Sequence, residues 1–108
     1  MSQNQKISVV IPVFNEEESI RPLYSKIINE LESFDTEIIF INDGSSDKTR
    51  KNILEIIESD NNVFMIDFMR NFGKAAALSE AFKIAKGDIV VTIDGDLQDD
   101  PSEIKALI

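Results

Sequence analysis

Four short apolar runs, each followed by a stretch with helical spacing, limit what this chain can fold into more than any other feature. The runs are rich in isoleucine, valine and phenylalanine, and they cover residues 7–11, 37–41, 63–68 and 88–93. Runs of this length without polar alternation are typical of strands that are buried on both faces. We therefore predict four buried strands at these positions.

Three helices are predicted between these strands. The first covers residues 19–33, and the second begins after a cap at Ser46 or Asp47. The third is rich in alanine, covers residues 73–86 and has Gly87 as its expected C-cap. The side chains that we expect to face inward are Ile20, Leu23, Tyr24, Ile27, Ile28, Leu31, Ile53, Ile56, Ile57, Leu78, Ala81, Phe82 and Ala85.

Strands that alternate with helices predict an α/β fold with a parallel sheet, because parallel neighbours need a crossover between them. Right-handed crossovers place helices on both faces and make the sheet doubly wound. Residues 1–108 are expected to form one domain. Ligands of such sheets bind beyond the carboxyl ends of the strands. Polar segments follow the four strands at residues 15–17, 42–47, 70–74 and 94–96, so we expect the functional site there.

The composition excludes several kinds of site and partner. The chain has no cysteine and no histidine, which excludes disulfides, a Ser-His-Asp triad and a zinc site with the usual ligands. Eleven Lys and Arg against twenty Asp and Glu give a formal charge of -9, so we expect no nucleic-acid partner. The N-terminus lacks the pattern of a signal peptide, and the apolar runs are too short to span a membrane, so the expected location is the cytoplasm.

An acidic segment after the fourth strand carries the strongest chemical signal. It reads Asp94-Gly95-Asp96-Leu97-Gln98-Asp99-Asp100. Carboxylates this close repel each other unless a cation lies among them, and Mg²⁺ and Mn²⁺ prefer oxygen ligands. Asp94 and Asp96 are therefore candidate metal ligands. Asp99 and Asp100 are better explained as the cap of a fourth helix that begins at Pro101.

Three other polar groups each have two interpretations. Asp43 either accepts hydrogen bonds from a ligand or belongs to a turn that leads into a helix. Residues 15–18 either join the site or only complement a helix N-terminus. Lys74 either meets a phosphate or is a solvated lysine. A phosphate loop of the Walker type is excluded here, because Phe68 and Ala75 stand where that motif requires glycine and Ser or Thr.

Together, the four segments resemble the N-terminal half of a family 2 glycosyltransferase, in the branch of dolichol-phosphate mannose synthase and bacterial polyprenyl-phosphate sugar transferases. The likeness covers residues 7–104, and its four motifs are specific as an ordered set rather than singly. The motifs are Val9-Val10-Ile11-Pro12-Val13-Phe14-Asn15-Glu16, Ile41-Asn42-Asp43-Gly44-Ser45-Ser46-Asp47-Lys48-Thr49, Arg70-Asn71-Phe72-Gly73-Lys74 and Asp94-Gly95-Asp96-Leu97-Gln98-Asp99-Asp100-Pro101.

The resemblance implies a Rossmann-like half of a GT-A fold with strand order 3-2-1-4. It implies a metal-dependent, inverting transfer of a sugar from a UDP- or GDP-linked donor to a lipid-phosphate or glycan acceptor. Its nucleotide-binding residues would be Pro12, Phe14, Glu16, Ile41, Asp43, Asp94 and Gly95, with Lys74 as a candidate phosphate contact. Its ligands for Mg²⁺ or Mn²⁺ would be Asp94, Asp96 and Gln98.

The resemblance also implies a longer parent enzyme. We expect the acceptor half, with the catalytic residues, to lie outside these 108 residues, so that the fragment alone is inactive. The parent is expected in the cytoplasm or at the cytoplasmic face of a membrane. Two positions depart from the family pattern, since Phe14 stands where tyrosine is common and Asn42 where a first aspartate is common.

Two other functions fit part of the pattern. A phosphoacceptor signalling domain could use Glu16 and Glu17 as its paired acids and Asp67 as its nucleophile, but a fifth strand with its lysine is absent from the sequence. The other alternative is a non-catalytic nucleotide-binding module. Whether the chain belongs to an enzyme or to a binding module, the strand at residues 88–93 would be the last strand of a sheet with the order 3-2-1-4. It would then have a neighbouring strand on one side only. We therefore expect the fragment to associate with itself through this edge.

Overall fold

The computed structural model describes residues 5–95 of the chain. These residues form four strands and three helices in strict alternation. The elements are β1 (Lys6–Val13), α1 (Ile20–Glu30), β2 (Asp35–Asp43), α2 (Thr49–Ser59), β3 (Val63–Phe68), α3 (Lys74–Ile84) and β4 (Ile89–Thr92). The predicted fourth helix after Pro101 lies outside the described residues.

All four strands are parallel and form one sheet in the order β3-β2-β1-β4. This confirms the predicted α/β fold and strand order. β1 and β2 pair along eight positions, from Lys6 opposite Asp35 to Val13 opposite Asn42. β1 and β4 pair along only four. Because all strands run the same way, the turns that follow them meet at one edge of the sheet.

Helices cover both faces of the sheet, and the two faces have different cores. On one face, isoleucine and leucine side chains of α1 and α2 pack on β1 and β2 around the fully buried Phe40. On the other face, Ala77 and Ala81 of α3 pack against Val10 and Ile39. Two alanines at this spacing share one helix face, and their small size lets α3 lie close to the sheet.

Several helix details differ from the prediction. α1 ends at Glu30 and α3 at Ile84, and Ala85 rather than Gly87 is the C-cap of α3. The side chains of Ile28 and Phe82 are 39% and 52% exposed instead of facing inward. Helical spacing identifies side chains that share a face, but α3 turns its alanines towards the sheet and leaves Phe82 outside.

The start of α2 also differs. Lys48 is its N-cap residue and makes no side-chain cap hydrogen bond, so neither Ser46 nor Asp47 holds that position. Asp47 nevertheless serves the helix start, because its Oδ1 accepts the Thr49 backbone N–H at 2.9 Å. A side chain that bonds two residues ahead is an Asx turn, which forms here in place of a conventional cap.

Near the amino ends of the strands, on the side of the sheet away from the predicted site, a buried polar network joins β1, β2 and the turn before β4. Ser8 and Glu37 are 0% and 4% exposed, and the Ser8 hydroxyl donates to Glu37 Oε2 at 2.5 Å. The same carboxylate oxygen accepts the Lys86 N–H at 2.7 Å, and Ser8 Oγ accepts the Gly87 N–H at 2.8 Å. Gly87 therefore helps to join the turn before β4 to the centre of the sheet.

Between residues 5 and 95, no helix is both long enough and apolar enough to cross a membrane.

Candidate functional site

A cleft of about 380 Å³ opens at the carboxyl ends of β1, β2 and β4, where the sequence predicted a site. It gathers seven of the predicted site residues from segments that are far apart in the chain. Those seven are Pro12, Phe14, Glu16, Asp43, Lys74, Asp94 and Gly95. Val13, Asn71 and Gly73 also line it. The sequence motif around Asn71 was noted, but no role was predicted for its side chain.

Three predicted site residues are not in this group. Ile41 is fully buried in the core beneath α3, together with Ala77 and Ala81, and its side chain does not line the cleft. The predicted role of Ile41 in nucleotide binding stays a prediction, and in this structure it would fall to the backbone of Ile41 rather than to its side chain. Asp96 and Gln98 lie outside the described residues.

Asp43 is the residue that ties the cleft together. Asp43 as a whole residue is only 5% exposed, and its two carboxylate oxygens accept the backbone N–H groups of Phe72 at 2.7 Å and Gly73 at 3.0 Å. The turn between β3 and α3 is thereby held at the rim of the cleft. Each carboxylate oxygen has two lone pairs, so Asp43 keeps the capacity to accept a hydrogen bond from a ligand.

Lys74 and Asp94 form an ion pair in the cleft. Lys74 Nζ lies 2.6 Å from Asp94 Oδ1, and the two side chains are 60% and 40% exposed. An ion pair this accessible to water contributes little to stability, so it can rearrange at low cost when a ligand enters. The arrangement supplies one positive group that could meet a phosphate and one carboxylate that could meet a cation.

The chemistry of the cleft suits a hard divalent cation in part. Asp94 offers the oxygen ligand that Mg²⁺ and Mn²⁺ prefer, and these ions commonly take one or two carboxylates and complete their shell with phosphate oxygens and water. Across residues 5–95, no group of three acidic side chains is close enough to hold a metal ion by itself. Asp94 therefore fits as one ligand of a site that would also need Asp96, Gln98 or a bound phosphate.

Phe14 gives the cleft an apolar wall. Phe14 is 45% exposed, about as much as Phe64, Phe72 and Phe82, but of these four residues only Phe14 lines the cleft. A flat ring beside the hydrogen-bonding group of Asp43 is suited to a planar heterocycle, since aromatic faces stack with an offset and leave the ring edge available for hydrogen bonds.

The aspartate required by the phosphoacceptor alternative is engaged elsewhere. Asp67 Oδ1 accepts the Asn42 side-chain amide at 2.9 Å, and its Oδ2 accepts Arg50 Nε at 2.6 Å. Asp67 does not line the cleft that holds Glu16. The structure therefore gives no support to a phosphoacceptor site built from these residues.

The sequence as a whole matches one family. The family model described as "Glycosyl transferase family 2" matches residues 8–108. This chain belongs to glycosyl transferase family 2. The match includes all four segments on which the predicted resemblance rests, so that prediction is confirmed.

Curated relatives share the family and carry more specific names. A prophage bactoprenol glucosyl transferase homolog of Escherichia coli K12 is 48% identical over 106 residues, which is 95% of this chain and 34% of that protein. An undecaprenyl-phosphate 4-deoxy-4-formamido-L-arabinose transferase of Proteus mirabilis is 42% identical over 106 residues, with 95% and 32% covered. The chain thus spans about a third of the length of the curated relatives that it matches.

Solved structures of glycosyltransferases share the fold. S. aureus TarS in complex with UDP-GlcNAc superposes with a TM-score of 0.76 at 25% identity, covering 94% of this chain and 30% of that one. Glucosyl-3-phosphoglycerate synthase of Mycobacterium tuberculosis, in complex with Mn²⁺, UDP and glucosyl-3-phosphoglycerate, gives a TM-score of 0.72 at 28% identity, with 93% and 37% covered. The predicted GT-A architecture is confirmed by these neighbours.

Proposed function

We propose that this chain is the donor-binding part of a metal-dependent, inverting glycosyltransferase that transfers a sugar from a nucleoside diphosphate sugar to a polyprenyl phosphate. The observation that carries the proposal is the single cleft that joins Phe14, Asp43, Lys74 and Asp94. The relatives named for bactoprenol and undecaprenyl phosphate support a lipid-phosphate acceptor over a glycan. Such an acceptor favours the cytoplasmic face of a membrane as the place of action of the longer enzyme.

The cleft residues divide naturally between the parts of a nucleotide. The half-exposed ring of Phe14 would stack on the base, and Asp43 would accept a hydrogen bond from a base N–H. Lys74 would exchange its bond with Asp94 for one with the diphosphate, since an ammonium group binds phosphate oxygens as a point charge. Glu16 and Pro12, at the end of β1, would border the nucleoside.

Asp94, Asp96 and Gln98 are the residues proposed to hold Mg²⁺ or Mn²⁺. When bound, such an ion supplies Lewis-acid stabilisation for a departing diphosphate. The M. tuberculosis neighbour that contains both Mn²⁺ and UDP supports the use of a divalent ion together with the nucleotide. Lys74 would add a second positive charge within the cleft, where a diphosphate carries negative charge.

Ligand-induced stabilisation tests the proposal without requiring turnover. A ligand at one hundred times its dissociation constant adds about 2.7 kcal/mol to the free energy of unfolding. We expect UDP or GDP with Mn²⁺ to raise the melting temperature of the chain, and neither Mn²⁺ nor nucleotide alone to match that increase. Asp96→Ala should abolish the increase.

Asp88→Asn is the matched control for the metal site. Asp88 stands at the opposite end of β4 and accepts the Lys6 backbone N–H at 3.0 Å, a bond that an amide oxygen can also accept. This variant should keep the full response to Mn²⁺ and nucleotide. An equal shift in wild type and Asp96→Ala would place the metal elsewhere, and no shift in wild type with either nucleotide would refute the proposed donor site.

A further inference from the structure

We infer that Asn15 is a positioning residue, which fixes Phe14 and Glu16 at the cleft by clamping the turn after β1 to the turn after β2. The importance of this position for nucleotide binding rests on the proposed function. Asn15 has a backbone φ of 51°, in the left-handed region that asparagine tolerates better than most residues. Most other residues would adopt this backbone conformation only with strain.

One side-chain oxygen of Asn15 makes most of the clamp. Asn15 Oδ1 accepts the backbone N–H groups of Ser46 at 2.8 Å and Asp47 at 3.3 Å. In return, the Asn15 backbone N–H donates to Ser45 Oγ at 2.9 Å. A single residue of the first turn is thus bonded to three consecutive residues of the second turn, about thirty positions further along the chain.

The next two residues of the first turn are held in the same way. The Glu16 backbone N–H donates to Thr49 Oγ1 at 2.8 Å, and the Glu17 backbone N–H donates to Asp47 Oδ2 at 3.3 Å. Thr49 is fully buried, so its hydroxyl is a fixed acceptor. Three consecutive backbone N–H groups are therefore satisfied by side chains of the turn after β2. Glu16 and Glu17 are half-buried, and backbone donors there rarely remain unpaired, whereas the bonds made by Asn15 itself are exposed to solvent. The two turns are therefore held to each other by half-buried and exposed bonds together.

The charge of Asp47 is part of this clamp. Burial by itself would raise the pKa of the Asp47 carboxyl, but hydrogen bonds from the Thr49 hydroxyl and from the backbone of Thr49 and Glu17 outweigh it and hold the pKa below its usual value. Asp47 is therefore ionised at neutral pH, which makes its hydrogen bond to the Glu17 N–H a charge-assisted one.

The clamp lies outside the cleft that it shapes. Ser45, Ser46, Asp47 and Thr49 do not line the cleft, whereas the two neighbours of Asn15 in sequence do. Any effect of the clamp on a ligand must therefore pass through Phe14 and Glu16. A binding group has to be held within a fraction of an ångström by its supporting shell, so loss of the clamp should weaken binding without removing any contact to the ligand.

Two substitutions separate the parts played by the backbone and by the amide of Asn15. Asn15→Gly keeps access to the left-handed backbone but removes the side-chain oxygen. Asn15→Asp keeps both the backbone tolerance and an acceptor oxygen, and adds a negative charge close to Asp47 and Glu17. Salt screens such exposed charges, so Asn15→Asp should recover towards wild type as ionic strength rises.

Ser8→Ala is the matched control for loss of stability. Ser8 lies near the start of β1, at the opposite end of this strand from Phe14, and its hydroxyl bonds to Glu37 and Gly87. Removing it leaves buried polar groups unpaired, so this variant should lower the melting temperature at least as much as Asn15→Gly. Its affinity for nucleotide should stay within two-fold of wild type if stability alone does not govern binding.

The measurement is the dissociation constant of UDP with Mn²⁺, obtained by titration calorimetry beside the melting temperature of each variant. We expect Asn15→Gly to weaken UDP at least about ten-fold, because small displacements of binding groups have large effects. Asn15→Asp should also bind UDP more weakly than wild type at low salt, and its affinity should approach that of wild type at high salt. If Asn15→Gly binds UDP as tightly as wild type, or loses no more affinity than Ser8→Ala, the inference is wrong.

Two further measurements keep the question decidable. Should Asn15→Gly not fold, Ser45→Ala removes only the partner of the Asn15 backbone N–H, and an unchanged UDP affinity in that variant overturns the inference. Should the wild-type chain bind no nucleotide, the proposed function fails, and amide hydrogen exchange decides the positioning role. Faster exchange at Glu16 and Glu17 in Asn15→Gly than in Ser8→Ala supports it, and equal exchange refutes it.

Discussion

The side-chain amide of Asn42 donates a 2.9 Å hydrogen bond to Asp67, while its oxygen accepts the Ser45 backbone N–H at 3.2 Å. Asn42 itself is 2% exposed, whereas its partner Asp67 is partly open to water. Only a group that donates and accepts satisfies this position, because a carboxylate accepts alone. The departure at Asn42 from the family pattern is thus explained by its partner Asp67 on the neighbouring strand.

Asn42→Asp should destabilise the chain by about 1–3 kcal/mol at neutral pH, since it leaves a buried carboxylate facing another one. The loss should shrink in acid, where protonation of either carboxyl restores a donor. Urea denaturation at two pH values measures both effects. Asn61→Asp, at an exposed position in the turn before β3, is the charge-matched control and should change stability little. Equal stability of wild type and Asn42→Asp would contradict this account.

Gly44 and Gly73 both have a positive φ, but we expect substitution by alanine to lower the stability of the chain by very different amounts. Gly44 has a φ of +78°, and a Cβ there would lie 2.4 Å from the Arg70 carbonyl carbon and 2.5 Å from the Asn71 nitrogen. Gly73 has a φ of +97°, but a Cβ there would meet no atom within 4 Å. Backbone atoms cannot move aside as a flexible side chain can. Of these two positions, an added Cβ would therefore clash only at Gly44.

We therefore expect Gly73→Ala to cost about 1–3 kcal/mol, because a φ of 97° with a ψ of 161° is a backbone conformation that essentially only glycine adopts, and Gly44→Ala to cost clearly more. Gly44→Ala should also displace the turn that Asp43 holds and so weaken nucleotide binding. Thermal and urea unfolding of the two variants side by side give the comparison. If both lose the same stability, strain rather than contact with residues 70–71 explains the glycine at position 44.

Tyr24 provides a pH prediction, because it is the only tyrosine in a chain without tryptophan. Its hydroxyl donates to Asp60 Oδ2 at 2.6 Å, and burial followed by this carboxylate raises its pKa from 10.0 to about 12. A raised pKa stabilises the folded state below the unfolded value. That contribution should therefore be complete below pH 10 and disappear as the pH rises towards 12.

The tyrosinate absorbance reports this titration directly. We expect a midpoint near 12 in the folded chain. Asp60→Asn keeps an acceptor but removes the charge, so its midpoint should fall only part of the way towards the ordinary value, since burial remains. A wild-type midpoint close to the ordinary value would show that the contact between Tyr24 and Asp60 does not persist in solution.

The position of β4 supports a prediction about association. Among residues 5–95 its outer side pairs with no other strand, and the Val90 side chain is 41% exposed. Unpaired strand edges without charges favour pairing between chains. We expect the 108-residue chain to associate as its concentration rises, and Val90→Lys to reduce this association. Sedimentation across a concentration series measures it, and a monomer at millimolar concentration would contradict the expectation.

Much of the fold was predictable because it depends on local patterns. Buried β-branched runs and helical spacing are read from neighbouring residues, and they predicted the alternating strands and helices and the parallel sheet, whereas the strand order followed from the resemblance to the family. The alternation of side chains along β2 also explains why Ile41 is buried. Ile41 lies on the same face of β2 as Asp43, but two residues before the end of the strand, where α3 covers it. The placement of Asp43 at the cleft followed from the parallel sheet, since strand ends meet at one edge.

The clamp and the partners of Asp43 were not predictable, because they join residues about thirty positions apart. No local pattern indicates that Asp43 accepts the N–H groups of Phe72 and Gly73, or that Asn15 bonds to Ser46. Such bonds depend on the relative position of two turns in the folded chain, which the local sequence does not determine. Exposure of Phe82 was missed for a related reason, since periodicity gives the direction of a side chain and not the extent of the surface that covers it.

The short pairing of β4 links ligand binding to local unfolding. β1 and β4 share four residue pairs, whereas β1 and β2 share eight, so transient opening of the sheet should begin at β4. Such an opening would carry Asp94 away from Phe14 and Asp43 while the rest of the sheet stays folded. A molecule that contacts Asp94 and Asp43 together can bind only the closed form. Ligand binding would therefore protect β4 against opening, and a change that makes β4 open more often would lower the affinity of the cleft for its ligand.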